Sequence, residues 1–225
     1  MGQAIGQVLA FGVGVSLSPI PIVGVVVMLT TPRARRNGPA FVLGWIVGMT
    51  IAGTLALLLA GGIGLGASGS GSDRGAAIKL ALGVLLLAIA VKQWRRRPHG
   101  GEEATMPRWL QSVDHFDAAR AAGLGVVLSA LNPKNLLLVL GAAAAISGTE
   151  AASGDQAVAL AIFILIGTIG PAIPVAIFFT MGERSKHQLE ELRAWMAHSS
   201  AAIMAVICLL IAAKLIGDGI SGLSA

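Results

Sequence analysis

The sequence predicts an all-α integral membrane protein whose six transmembrane helices form two inverted three-helix repeats (3+3). Three observations predict it: a charge-poor composition, six apolar stretches of spanning length, and a pair of matched proline motifs, one in each half. The 225 residues are 55% hydrophobic and only 12% charged, against about 25% charged in a soluble domain. The 30 glycines agree, because glycine is commoner in membrane helices than in soluble ones.

A helix needs about 20 mostly apolar residues to cross the hydrocarbon core. Reading between polar breaks places spans at 5–30, 39–64 and 76–91, then at 121–146, 157–181 and 199–216. The first repeat therefore covers 1–98 and the second 121–225, joined by a cytoplasmic loop over 99–120. The first stretch has no basic n-region and no small-residue cleavage site, so it reads as a retained span rather than a signal peptide. The third span is short, and Lys79 near its start snorkels to the interface.

Charge placement orients the spans. Twelve of the 16 Lys and Arg residues fall in the first, third and fifth loops, among them Arg33, Arg35, Arg36, Arg95, Arg120 and Arg184. By the positive-inside rule those loops are cytoplasmic, which puts the protein in the cytoplasmic (inner) membrane with both termini extracytoplasmic. The net charge of +5 is spent on this asymmetry, and no nucleic-acid partner is expected. In the third loop Trp109, Val113 and Phe116 recur at helical spacing beside Gln111, Asp114 and Asp117, which predicts an interfacial amphipathic helix. Residues 184–198 read as a similar lead-in to the sixth span.

The repeat rests on Leu17-Ser18-Pro19-Ile20-Pro21 set against Leu131-Asn132-Pro133-Lys134-Asn135, each followed by an aliphatic run near the centre of the first span of its half. Three spans per half invert the second copy. Proline removes a backbone donor and clashes with the preceding turn, and the residue before it leaves helical geometry. Ser18 and Asn132 hold those positions, where their side chains can satisfy freed backbone groups. Gly44 and Gly48 form a GxxxG, read as close helix packing. Gly170, Pro171 and Pro174 are expected to break the fifth span, either as a hinge or cavity-shaping element or as a packing kink.

All 11 acidic residues fall outside the expected spans, so no carboxylate is available at mid-membrane for a cation or a proton relay. The four histidines lie in loops or at a span edge, and neither a metal nor a cofactor is expected. Cys208 is the only cysteine, which excludes an intramolecular disulfide, a thiol relay and a cysteine zinc site. No nucleophile–base–acid set and no phosphate-binding glycine loop is present, so an enzyme is not expected. Lys134 is the exception among the charges. A lysine at this depth is costly and marks a functional site, and half-helix N-termini after Pro19 and Pro133 would favour an anion beside it.

The early LSPIPI, the RWLQSVDHF segment and LNPKNLLLVL together make the chain resemble the GAP family of peptidoglycolipid- or sulfolipid-addressing membrane proteins, within the lysine exporter (LysE) superfamily. The likeness covers nearly the whole chain. It implies a LysE-like 3+3 fold and movement of envelope glycolipids across the inner membrane. It also implies Ser18, Pro19 and Pro21, with Asn132, Pro133, Lys134 and Asn135, as the core substrate-binding motif. A thiol-redox branch of that superfamily would require a cysteine in each half, which this chain lacks.

The leading expectation is thus a transporter of a lipid or glycolipid with an anionic head group, acting at a midplane site, with a lateral opening between spans of different halves that reaches Lys134. Two competing readings use the same residues: an exporter of a small solute such as an amino acid, and a non-transporting accessory subunit of lipid export machinery. The absence of midplane carboxylates disfavours the first, and the second leaves Lys134 unexplained. Membrane lipids are the expected partners, with a homodimer and lipid-synthesis or export machinery left open.

Overall fold

The computed structural model describes residues 2–62, 72–95, 113, 115–149 and 151–223. Among these every long element is helical: α1 (Gly2–Ser16), α2 (Pro19–Leu29), α3 (Ala34–Gly62), α4 (Ser72–Arg95), α5 (Ala118–Ala130), α6 (Pro133–Ser147), α7 (Ser153–Met181) and α8 (Ser185–Leu223). Helices α3, α4, α7 and α8 each contain a segment long and apolar enough to cross a membrane. The pairs α1/α2 and α5/α6 reach that length only together, bent by 50° and 59° at their breaks. The protein is therefore a multi-pass membrane protein, with up to six spans if each bent pair is one.

The two breaks share one local geometry. In the first, Leu17 N–H donates to Val13 O at 3.0 Å; in the second, Leu131 N–H donates to Val127 O at 2.9 Å. The next residue then leaves the helix, Ser18 at φ −74°, ψ 112° and Asn132 at φ −68°, ψ 120°. Pro19 and Pro133 open the following helices at a first-turn position where no backbone donor is needed. Each α1 and α5 helix thus ends because the next residue precedes a proline.

Packing exchanges the halves. Helix α1 runs parallel to α7, with Gly12 against Phe163 and Ile166, Gly167 against Val15, and Gly170 against the Ser16 carbonyl. Helix α3 runs parallel to α5, where Gly44 meets the Ala122 backbone, Gly48 meets Val126 and Ser129, and Gly125 meets the Phe41 backbone. The GxxxG of α3 is indeed a packing surface. Helices α4 and α8 pack antiparallel along their lengths, Gly219 lying on Leu80 and Gly83 on Ile216.

Several expectations need correction. Helix α7 is continuous through Pro171 and Pro174, so they do not break the fifth span. Each proline would clash with the carbonyl four residues earlier; those residues are Gly167 and Gly170, whose permissive backbones can tilt the carbonyl aside. The helix ends instead at Gly182, which takes φ +56°, a conformation that glycine adopts without penalty. The helices that hold the expected fifth and sixth spans run beyond 157–181 and 199–216: Asp155 lies in the first turn of α7, and Asp218 lies inside the apolar part of α8. Asp218 is tolerated there because Lys214 Nζ pairs with it at 2.9 Å and also donates to Gln7 Oε1 at 2.6 Å.

The amphipathic helix expected over the third loop falls mostly outside the described residues, Trp109, Gln111 and Asp114 included. Within them, Phe116 N–H closes a short turn onto Val113 O at 3.0 Å. Asp117 is then extended and caps α5, its carboxylate accepting from Arg120 N–H. The helix of the fourth span accordingly starts at Ala118, three residues before its expected start.

Sidedness is measurable. Asn37 is buried, so cysteine there would not report on the membrane; Arg36 and Ser153 are exposed. In a Cys208→Ser background, Ser153→Cys should react with an impermeant thiol reagent in intact cells, and Arg36→Cys only after the membrane is opened. Labelling of position 36 in intact cells would reverse the orientation.

Candidate functional site

A helix that stops early strands its last carbonyls, because the N–H groups that would follow are missing. At the first break the carbonyl of Gly14 would normally receive the N–H of Ser18, but that N–H turns to Val15 O at 3.1 Å. At the second break the corresponding carbonyl belongs to Leu128, four residues before Asn132. Both carbonyls are satisfied by side chains of the second motif. Lys134 Nζ donates to Gly14 O at 2.7 Å, and Asn135 Nδ2 donates to Leu128 O at 3.0 Å.

Ser18 links the two. Its hydroxyl accepts from Lys134 Nζ at 2.8 Å and donates to Asn135 Oδ1 at 3.0 Å. A directed chain results: lysine ammonium to serine, serine to asparagine, asparagine amide to carbonyl. All three side chains are buried, Lys134 at 3% exposure, Ser18 at 2% and Asn135 at 0%. Asn132 does a separate job as the cap of α6, its Oδ1 accepting from Lys134 N–H at 3.1 Å. Ser18 makes no such cap to α2; its hydroxyl is committed to the chain instead.

The sequence motif is thus drawn together, with roles that differ along it. Ser18, Lys134 and Asn135 form the polar cluster, Asn132 shapes the turn, and Pro19 and Pro133 open α2 and α6. Pro21 removes a second donor from the first turn of α2. The half-helix N-termini therefore offer less than expected: with Pro19 and Pro21 lacking N–H groups, Ile20 alone remains among the first three positions of α2. In α6, Pro133 has none and Asn132 takes that of Lys134, leaving Asn135. An anion here would depend on the Lys134 ammonium more than on helix ends. Gly170 and Pro171 sit beside the first break, where a Cβ on Gly170 would collide with the Ser16 carbonyl; Pro171 and Pro174 are buried in α7.

Lys134 carries three donor protons and uses two. No carboxylate pairs with it among the described residues. The cluster is closed on itself, and Lys134 lines none of the cavities described below. One apolar cavity of about 230 Å³ does join helices of both halves, between Ala56, Leu59 and Ala60 of α3, Ile78 and Leu82 of α4, and Leu140 and Ala144 of α6. It reaches α6 six residues beyond Lys134, roughly 9 Å along the helix. Lys134 itself is buried in this arrangement.

Sequence reasoning missed the two carbonyls, because a backbone oxygen has no residue signature. It could have found them by counting back four positions from each X-Pro pair. Gly14 belongs to a stripe on α1, with Gln7 and Phe11, that α8 covers: Ile207 and Ile211 lie over Gly14 and Lys214 Nζ sits 5.8 Å from the Phe11 ring.

A protein-family model described as SfLAP, "Sap, sulfolipid-1-addressing protein", matches residues 8–221. No curated protein and no solved structure matches the chain.

Proposed function

Because the chain belongs to the sulfolipid-1-addressing protein family, we propose that it moves a lipid or glycolipid with an anionic head group across the cytoplasmic membrane, using Lys134 as the charge that the head group meets. The single observation that carries this reading is the buried ammonium of Lys134, held between two helix breaks with, among the described residues, one donor uncommitted and no carboxylate beside it. A charge kept at such a position without a counter-ion is costly, and a passing anion would complete it. Ser18, Asn132 and Asn135, with Pro19, Pro21 and Pro133 shaping the breaks, make up the rest of the proposed binding motif. Gly170, Pro171 and Pro174 set how closely α7 lies against the first break. The reading is of a carrier rather than an enzyme.

We read the architecture as a LysE-like 3+3 inverted repeat, with basic loops on the cytoplasmic side and both termini outside. The support is the exchange of partners. The first helix of one half lies parallel to the second span of the other in both cases, α1 on α7 and α5 on α3, while α4 and α8, the last spans of the two halves, pair with each other. In a transporter of this plan the site sits at the repeat interface on discontinuous helices. Lipid tails stay in the bilayer during such a cycle, and the cavity between α3, α4 and α6 is apolar and joins both halves. Opening there would bring a head group towards Lys134.

The test is reconstitution. In liposomes, the protein should redistribute a sulfated or otherwise anionic glycolipid between leaflets, and a deletion strain should retain that lipid on the inner leaflet. Movement of a water-soluble amino acid with lipids left in place would sink the lipid reading in favour of the small-solute one.

A further inference from the structure

We propose that the cleft where α3 and α5 begin is a second site, an interfacial dock that binds the oxyanion of a lipid head group also bearing hydroxyls. The cleft holds about 770 Å³ and is lined by Pro32, Arg33, Arg35, Arg36, Asn37 and Asp117, with Ala118 and Ala119 closing it. It lies at the basic end of the molecule, away from the Lys134 cluster. This deepens the transport reading and rests on it for the identity of the cargo.

Three features converge. The first is geometry: α3 starts at Ala34 and α5 at Ala118, so two helix N-termini face one space. The N–H groups of Ala34, Arg36 and Asn37 are taken up by Thr31 O and Arg33 O, and that of Arg120 by Asp117. What the two starts bring to the cleft is therefore chiefly the positive ends of their dipoles, which favour an anion. The second is charge. Arg33, Arg35 and Arg36 supply three guanidinium forks suited to bidentate contact with a sulfate or phosphate. Asp117 is the one acid among the described lining residues, and its Oδ1 is already committed to Arg120 N–H at 2.8 Å.

The third feature is Asn37. It is 1% exposed, and its Nδ2 donates to Phe116 O at 2.9 Å. Arg33 Nη1 reaches the same carbonyl at 3.3 Å, which fastens the lead-in of α5 to the start of α3. The amide orientation is fixed by that carbonyl, so Oδ1 is the free end. Asn37 Oδ1 is buried and accepts no hydrogen bond from the described residues, a costly state for an amide oxygen. A bare oxyanion has no proton to give it, whereas a hydroxyl on the same head group does. The lining thus distinguishes a glycosylated or polyol head from a simple phosphate.

The experiment uses the full-length protein in uncharged detergent and counts bound lipid by native mass spectrometry. The probes are sulfated galactosylceramide, uncharged galactosylceramide, phosphatidic acid and inorganic sulfate. Wild type should prefer the sulfated glycolipid to both other lipids, and an equal concentration of inorganic sulfate should not displace it. The double variant Arg35→Gln/Arg36→Gln, at two exposed positions, should bind it roughly thirtyfold more weakly. Asn37→Ala should lose the preference over phosphatidic acid and keep the preference over the uncharged lipid. Equal binding by the arginine variant, displacement by free sulfate, or an unchanged preference in Asn37→Ala would each overturn the proposal. Failed translocation with this binding intact removes the transport reading alone, and intact translocation without the arginine effect removes this site alone.

Discussion

Lys134→Met should stop lipid redistribution in liposomes while leaving the protein as thermally stable as wild type, to within a few degrees. Two opposing effects set that balance. Methionine forfeits the bonds to Gly14 O and Ser18 Oγ, each worth about 0.6 kcal/mol on average between membrane helices and up to about 1.7 kcal/mol. It also removes a buried charge whose cost at a helix centre is about 2.5–3.5 kcal/mol on insertion scales. The net change is on the order of 1 kcal/mol and of either sign. Stability and activity therefore separate, as they do where a strained group is kept for function. Lys134→Arg should restore only part of the transport, because a planar fork replaces a compact ammonium between two fixed oxygens. Normal transport by the methionine variant would reduce Lys134 to a staple between the breaks and sink the proposed function.

Gly125→Val should abolish folding outright, whereas Gly123→Ala, two residues away on the same helix, should be harmless. A side chain at Gly125 would enter the backbone of Phe41 and Gly44 on α3, and at Gly123 it would meet nothing within 4 Å. No rotamer relieves an overlap with backbone, so the cost exceeds the roughly 1–3 kcal/mol of ordinary overpacking. The open position instead gains helix propensity, up to about 1 kcal/mol. Gly44→Val meets the Ala122 backbone from the other side and should fail in the same way. The readout is monodispersity in detergent. A monodisperse, transport-competent Gly125→Val protein would mean that α3 and α5 do not pack as described.

These two sites show what was legible beforehand and what was not. Composition and periodicity revealed the helices, and the X-Pro pairs at Ser18 and Asn132 located both breaks to the residue. The pattern also picked out Lys134 as the one charge needing explanation. What stayed hidden depends on the neighbouring helix. Gly44 and Gly48 announced close packing, but nothing in their spacing said that α5 was the partner. Ser18 looked like a cap and turned out to bridge Lys134 and Asn135, because which acceptor a hydroxyl finds is settled by tertiary contact. The continuity of α7 through Pro171 and Pro174 was misread because proline was weighed without the glycines four residues before it.

The lysine has no twin. Position for position, Lys134 matches Ile20 and Asn135 matches Pro21, so one motif supplies the grip for the breaks of both. Had the halves been chemically equal, a carrier built on the inverted plan proposed above would rest at equal energy facing either side of the membrane. Here the contact from Lys134 to Gly14 O stabilises one arrangement, and exchange of the halves has no equivalent to offer. On the proposed transport reading, the resting molecule would be one-sided and its cycle would begin from a preferred face. Escape from that face would then be timed by how readily an arriving anion draws the ammonium off a backbone oxygen.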